Sequence, residues 1–95
     1  MTGLTIGKQF LIFTETSFDF IFQSILRDLE YTELTRENKS DLVDYFMNNS
    51  DNYLSEIFED NDLYFDEDDI DSEELNNIFI GFEDYLDYIL DMCDK

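Results

Sequence analysis

The sequence predicts an α+β fold in which about four helices follow a short N-terminal β-hairpin or single strand. Residues 1–13 are rich in β-branched and aromatic residues, whereas apolar residues recur at helical spacing along most of the remaining chain. Proline is absent and glycine occurs only at positions 3, 7 and 81, so the chain contains no internal linker signal. We therefore expect residues 1–95 to form a single acidic domain.

The N-terminal segment contains two extended runs, Leu4–Ile6 and Gln9–Phe13. Gly7 and Lys8 separate them, and glycine at the first position of a two-residue turn is typical of a β-hairpin. A single bent strand would satisfy the same pattern. Because residues 1–13 contain no carboxylate, we expect this segment to have a structural role.

Two helices are predicted in the first half of the chain. The first should begin at Thr16 or Ser17, each of which can act as the N-cap, and should continue to about Leu29. The second is predicted over Arg36–Asn48. Its inward-facing positions are Leu42, Val43, Phe46 and Met47.

Two more helices are predicted in the second half. Ser50 should cap a short third helix, and Asp71 should cap the longest helix, about residues 73–93, in a capping box with Glu74. Gly81 lies inside this last helix and indicates a close helix contact or a kink. The stretch before it is irregular, and Leu63–Phe65 should form a short strand or fasten the loop. The apolar stripe of the last helix comprises Leu75, Ile78, Phe79, Phe82, Tyr85, Leu86, Ile89, Leu90 and Met92.

The composition favours a folded protein over a disordered one. Apolar residues make up 43% of the chain and aromatic residues 17%, which is enough for one core despite a formal charge of −20.

Cys93 is the only cysteine, so no intrachain disulfide can form, and the N-terminus lacks the pattern of a signal peptide. No segment is apolar enough to span a membrane, and anionic lipid would repel the chain. We therefore expect a cytoplasmic protein that does not bind membranes.

The carboxylates are distributed unevenly along the chain. No basic residue occurs between Lys39 and Lys95, and these 55 positions carry 19 of the 25 carboxylates. Like charges at short range destabilise a compact fold, so this surplus indicates a role in binding a positively charged partner. We also expect raised pKa values among the crowded carboxylates, and therefore a stability that increases as the pH falls.

The last predicted helix carries its carboxylates in a row. Glu83, Asp87 and Asp91 follow one another at intervals of four residues, and no basic residue of this helix face relieves their repulsion. Asp84 and Asp94 extend the outer face. Duplex DNA carries about one negative charge per ~1.7 Å of its axis, so a basic groove that binds DNA would also accept this face. The residues expected to contact the partner are Asp66, Glu67, Asp68, Asp69, Glu83, Asp84, Asp87 and Asp91.

Tyrosines are interleaved with these carboxylates. Aromatic side chains that become buried at an interface supply binding energy that charge alone does not. For any one of them, however, a partly buried position in the core with the hydroxyl at the surface is the favoured interpretation. The tyrosines in question are Tyr45, Tyr53, Tyr64, Tyr85 and Tyr88.

In its size, its acidity and its lack of cysteine chemistry, the chain resembles the small acidic DNA-mimic inhibitors of phages and mobile elements. These are the anti-restriction and anti-CRISPR proteins and the uracil-glycosylase inhibitors. The resemblance extends over the composition of the whole chain and includes no shared motif. It implies a non-enzymatic inhibitor that occupies the nucleic-acid-binding site of a nuclease, such as a CRISPR effector or a restriction enzyme, without binding nucleic acid itself. We expect a monomer or a small homo-oligomer.

Two other binding functions fit the same charge. An immunity protein that neutralises a basic nuclease toxin would use the same electrostatics, and a toxin gene beside its own would favour that interpretation. An acidic adaptor or regulator would bind a basic protein without displacing nucleic acid.

Metal-dependent and catalytic functions have less support. An EF-hand loop starting at Asp60 would have a second ligand at Asp62. It would lack a further oxygen ligand, the invariant glycine and the final bidentate glutamate, because the chain has Tyr64, Phe65 and Asp71 at those places. The chain has no histidine, the usual zinc ligand and general base. We therefore expect no cofactor, no dedicated metal site and no enzymatic activity.

Overall fold

A computed structural model describes residues 2–93 and confirms the predicted fold class. Within this part of the chain, a two-stranded antiparallel hairpin precedes four α-helices. None of these helices has the combination of length and apolar character needed to cross a membrane. The elements are β1 (Gly3–Ile6), β2 (Gln9–Ile12), α1 (Glu15–Asp28), α2 (Lys39–Asn48), α3 (Ser50–Asp60) and α4 (Ser72–Cys93), with a 3-10 turn at Glu67–Asp69 before α4.

The N-terminal segment forms the predicted hairpin and not the alternative single bent strand. Ile6 pairs with Gln9, so Gly7 and Lys8 make a two-residue turn, and Gly7 adopts a φ of 60° that favours glycine. Leu4 and Ile6 are buried, and β1 packs against α4. The segment therefore contributes to the core.

The start of α1 differs from the prediction. Thr14 is the N-cap, whereas Thr16 and Ser17 lie inside the helix. Ser17 still acts at the helix start, because its Oγ accepts a hydrogen bond from the backbone N–H of Thr14 at 3.2 Å. Several hydroxyl residues in succession can all serve as caps, so the sequence alone could not choose among them. The buried apolar residues of α1 are Phe18, Ile21, Phe22, Ile25 and Leu26.

The start of α2 also lies later than predicted, at Lys39 and not at Arg36. The preceding residues form a turn closed by two side chains. The Thr35 N–H donates to Asn38 Oδ1 at 2.8 Å, and the Asn38 N–H donates to Thr35 Oγ1 at 3.1 Å. These side chains bind backbone groups that a longer helix would leave unpaired, so they move the helix start forward.

The cap of α3 is displaced by one position. Asn49 is the N-cap, and Ser50, the predicted cap, is the first residue of the helix and is buried.

Two methionines predicted to face inward are exposed. Met47 is 49% exposed and Met92 is 58% exposed, so both predictions were wrong. Met47 follows the fully buried Phe46 by one residue, which turns it ~100° around the helix axis. Met92 follows the buried Leu90 by two residues and is turned by ~200°.

An aromatic cluster joins α2, α3 and α4. The ring centroid of Phe46 lies 4.8 Å from that of Phe82, 5.3 Å from that of Phe79 and 6.2 Å from that of Tyr53. Phe46 and Phe82 are fully buried. This packing fixes α2 against α4, which determines what the outer face of α4 contacts.

Gly81 lies where α1 meets α4. A Cβ added at Gly81 would lie 2.8 Å from Cζ of Phe18, closer than carbon atoms approach without displacement. Of the two predicted roles for this glycine, the structure supports the close helix contact.

The loop between α3 and α4 is fastened at two points. The ring of Phe65 packs against that of Phe58, with centroids 5.4 Å apart. The side chain of Gln9 binds both backbone groups of Tyr64: Nε2 donates to the carbonyl at 2.9 Å, and Oε1 accepts from the N–H at 3.1 Å. Leu63–Phe65 therefore fastens the loop without forming a strand.

Candidate functional site

The carboxylates of α4 form a row along its outer side, which we call the α4 stripe: Glu83, Asp87 and Asp91. Lys39 Nζ lies 2.6 Å from Asp87 Oδ1 and 3.9 Å from Glu83 Oε2. Arg36 Nη2 lies 4.0 Å from Asp91 Oδ1. The expectation that no basic residue relieves the repulsion along this face was therefore wrong, because α2 and the residues before it bring two cations to it.

The electrostatics of Lys39 show the same pairing. The hydrogen bond to Asp87 raises the pKa of the Lys39 ammonium, and the charges of Asp87, Glu83 and Asp84 raise it further against a smaller opposing effect of burial. Lys39 thus stays charged to a more alkaline pH than a free lysine. The α4 stripe is therefore a surface of mixed charge and not a one-signed surface.

The remaining two residues of the outer face have different positions. Asp84 is exposed and lines a depression together with Tyr88, and no salt bridge of 4.0 Å or less joins it to Lys39, although its charge acts on that lysine. Asp94 lies outside the described residues.

A second group of carboxylates surrounds the loop before α4. We call it the loop surface. It combines the predicted acidic run with residues from the starts of α3 and α4, and its members are Asp51, Asp66, Glu67, Asp68, Asp69, Asp71 and Glu73.

The loop surface borders three depressions of about 460, 390 and 350 Å³. The largest is bordered by Asp69, Asp71 and Glu73, and the other two share Asp51 and Glu67. Among residues 2–93, no lysine or arginine lines any of the three. The loop surface thus differs from the α4 stripe in that its carboxylates border depressions that no lysine or arginine of residues 2–93 lines.

Several of these carboxylates are held in place by backbone groups. Asp69 Oδ2 accepts the Gly7 N–H at 2.6 Å, which ties the loop to the hairpin turn. Asp66 Oδ1 accepts the Asp68 N–H at 3.0 Å and caps the 3-10 turn. Hydrogen bonds of this kind reduce the freedom of the side chain, so the negative charges are positioned before any partner arrives.

The predicted capping box at the start of α4 is half correct. Asp71 Oδ1 accepts the N–H groups of Glu73 at 2.8 Å and Glu74 at 3.3 Å, as an N-cap does. Glu74 does not reach back to Asp71. Its carboxylate binds β1 instead, accepting from the N–H and from the Oγ1 of Thr5, both at 3.0 Å.

Glu67 shows how closely the loop carboxylates lie. Its hydrogen bond with the Asp51 carboxyl raises the pKa of Glu67, and repulsion from Asp51, Asp68 and Asp66 adds to the effect. The sequence did not place Asp51 in this group, because its membership depends on how α3 packs against the loop. No local signal marks it.

The interleaved tyrosines divide into two classes. Tyr53 is buried and donates its hydroxyl to Asp28 at 2.5 Å, and Tyr85 is half-buried and donates to Asp19 at 2.9 Å. Tyr45 is half-buried against Tyr53. By contrast, Tyr64 is 67% exposed and Tyr88 is 51% exposed, so these two are the tyrosines accessible to a partner.

No metal centre is formed by the acidic loop in residues 2–93. Within this range, no group of three or more histidine, cysteine, aspartate or glutamate side chains has the arrangement needed to hold a metal ion. Asp66, Asp69 and Asp71 of the loop surface instead accept backbone N–H groups.

The chain was compared with protein-family models, with curated proteins and with solved structures. None of the three comparisons found a match.

Proposed function

We propose that this protein is a cytoplasmic, non-enzymatic inhibitor that mimics DNA and occupies the basic nucleic-acid-binding site of a nuclease, such as a CRISPR effector or a restriction enzyme. The observation that carries the proposal is the loop surface, where carboxylates border three depressions that no lysine or arginine of residues 2–93 lines. The closely spaced carboxylates would bind the lysines and arginines of a partner in the way that the phosphates of a nucleic-acid backbone do.

The proposal gives the eight predicted contact residues unequal weight. Asp66–Asp69 are available to a partner without competition from the cations seen near α4, whereas Asp84 interacts electrostatically with Lys39. Glu83, Asp87 and Asp91 would contact a partner only where its cations compete with Lys39 and Arg36. The interface should therefore centre on the loop surface, with the α4 stripe at its margin.

The test is DNA cleavage by a panel of purified restriction endonucleases and CRISPR effectors in the presence of the protein. We expect inhibition that excess duplex DNA relieves and that added salt weakens, because both compete with the carboxylates for the same basic groove. An enzyme that binds the protein and still binds its DNA would contradict the proposal and favour the adaptor function. Inhibition confined to a nuclease toxin would favour the immunity function.

Matched variants locate the interface. Neutralising three loop carboxylates should weaken inhibition about 10-fold or more, since a close interfacial charge pair contributes at least ~1.5 kcal/mol. A control variant with the same change in net charge should inhibit almost as well as the unmodified chain. The loop variant is Asp51→Asn/Glu67→Gln/Asp68→Asn, and the control, made at exposed acids outside the three depressions, is Glu33→Gln/Glu37→Gln/Asp44→Asn. Equal weakening by both variants would show that net charge, and not the loop surface, determines binding.

A further inference from the structure

A groove between α1 and α4 has aromatic walls. The rings of Phe18 and Tyr85 are stacked, with centroids 6.3 Å apart and planes 27° apart, and Tyr88 lines the groove one helical turn further along α4. Gly81 forms part of the lining and leaves the space that the ring of Phe18 occupies. The groove has a volume of about 270 Å³. We call it the aromatic groove.

The charges of the aromatic groove are all negative. Glu15 and Asp84 line it, both are exposed, and no lysine or arginine of residues 2–93 is among its lining residues. The hydroxyl of Tyr85 is already bound to Asp19 at 2.9 Å, which fixes the ring as a wall. The site therefore presents the half-buried ring of Tyr85 and the exposed ring of Tyr88 together with two exposed carboxylates.

We propose that the aromatic groove binds the guanidinium group of an arginine side chain supplied by the basic partner. The inference rests on the proposed function, which provides such a partner. A guanidinium stacks on aromatic rings and also donates two parallel hydrogen bonds to a carboxylate, so one group satisfies both features of the groove. A lysine ammonium is more strongly hydrated and lacks the planar face, so it fits less well.

The size of the groove agrees with this occupant. A volume of about 270 Å³ is enough for one long side chain. Arginine would thus act as a single anchor beside the broader electrostatic contact at the loop surface.

The experiment titrates the isotope-labelled full chain with a capped arginine, N-acetyl-arginine methylamide. NMR spectra record the shifts of the backbone amides. We expect saturable shifts at the backbone amides of Gly81, Asp84 and Tyr88. The neutral citrulline analogue should cause none of them, because it has the shape of arginine without its charge. The lysine analogue should bind more weakly. Equal binding of the citrulline or the lysine analogue would overturn the proposal.

Matched variants test whether the groove itself is responsible. Tyr88→Ala and Asp84→Asn should each weaken binding of the arginine probe about 2- to 5-fold, the change expected for an exposed cation–π or ion-pair contact. Both residues are exposed, so their replacement leaves the core intact. Tyr64→Ala, at a tyrosine that is also exposed but lies outside the groove, should leave probe binding unchanged. Shifts centred on Asp66–Asp69 and unaltered by Tyr88→Ala would overturn the proposal.

The two proposals fail separately, because probe binding is measured without any enzyme. If the probe binds as expected and no panel enzyme is inhibited in competition with DNA, the DNA-mimic function fails and the arginine site stands. If inhibition competes with DNA and the probe does not bind the groove, only the arginine site fails.

Discussion

The α4 stripe and the loop surface look alike in the sequence and differ in the folded protein. Both are runs of carboxylates in the stretch without basic residues. In the structure, Lys39 and Arg36 lie against the α4 stripe, whereas Asp51 adds another carboxylate to the loop surface. The difference shows that the charge of a segment does not determine the charge of a surface, because packing decides which cations stand beside it.

The α4 stripe and the loop surface also differ in the contacts that hold them in position. The α4 stripe lies on a helix that the Phe46–Phe82 contact fixes against α2. The loop surface is held mainly by carboxylates that accept backbone N–H groups, as Asp69 does from Gly7. The stripe is therefore held by core packing and ion pairs, whereas the loop surface is held by hydrogen bonds from its own carboxylates.

The largest expected effect is on the packing that places Lys39 beside the stripe. Phe46→Ala should lower the free energy of unfolding by about 3–5 kcal/mol, the usual cost of removing a buried aromatic ring. Chemical denaturation measures this loss. The exposed Tyr64 provides the control, because Tyr64→Ala should change stability by less than ~0.5 kcal/mol. A small loss for Phe46→Ala would mean that the aromatic cluster does not fix α2 against α4.

Alkaline pH should weaken the pairing of Lys39 with the α4 stripe, which distinguishes the stripe from the loop surface. Lys39 has a raised pKa and contributes stability that is fully present below its ordinary value of 10.5 and is lost as the pH rises through the folded value. Burial and a hydrogen bond to Asp19 raise the pKa of Tyr85 to about 12, and burial followed by the bond to Asp28 raises that of Tyr53. Their contributions are likewise lost above pH 10, because the unfolded chain ionises first.

Two measurements check this prediction. The melting temperature should fall steeply above pH 10, and the phenolate absorbance should show Tyr53 and Tyr85 ionising only later or on unfolding. Ionisation of all tyrosines in one step near their ordinary pKa, with the fold intact, would contradict it.

A smaller effect is expected when the stripe loses its cation at neutral pH. Lys39→Met should destabilise the protein by about 1 kcal/mol, since Lys39 contacts two partly exposed carboxylates and surface pairs contribute at most about that much each. Lys8→Met makes the same change in net charge in the exposed hairpin turn and should have less effect. Equal losses in the two variants would indicate that only net charge matters.

The smallest expected effect concerns acid at the loop surface. The raised pKa of Glu67 means that its protonation favours the folded state, so its contribution is fully present below its ordinary value of 4.5 and is lost as the pH rises through the higher folded value. Mild acidification, or added salt at neutral pH, should therefore raise the melting temperature slightly. The double variant Asp51→Asn/Glu67→Gln should remove this increment, while Lys39→Met should retain it.

Much of the fold follows from local patterns in the sequence. The hairpin turn at Gly7 and the cap at Asp71 depend on neighbouring residues, so they were predictable. The contact of Lys39 with Asp87 was not, because the two residues are distant in the chain and meet only through the packing of α2 on α4. The role of Gly81 was half predictable: the sequence indicated a close contact, but nothing in it identified Phe18 as the neighbour.

The candidate site was also only partly predictable from the sequence. The acidic run Asp66–Asp69 is visible in the sequence, whereas the position of Asp51 beside it depends on the geometry of α3. The aromatic groove could not be predicted, because its walls come from two helices that lie far apart in the chain.

The bonds that join the hairpin to α4 and to the turn before it can form only late in synthesis. Thr5 binds Glu74 across 69 positions, and Gly7 binds Asp69 across 62. A hairpin forms within microseconds, but translation at ~5–20 residues per second delays α4 by on the order of ten seconds. During that interval Leu4 and Ile6 have no helix to cover them. On the ribosome, the strand that is translated early is thus among the last parts of the protein to be buried.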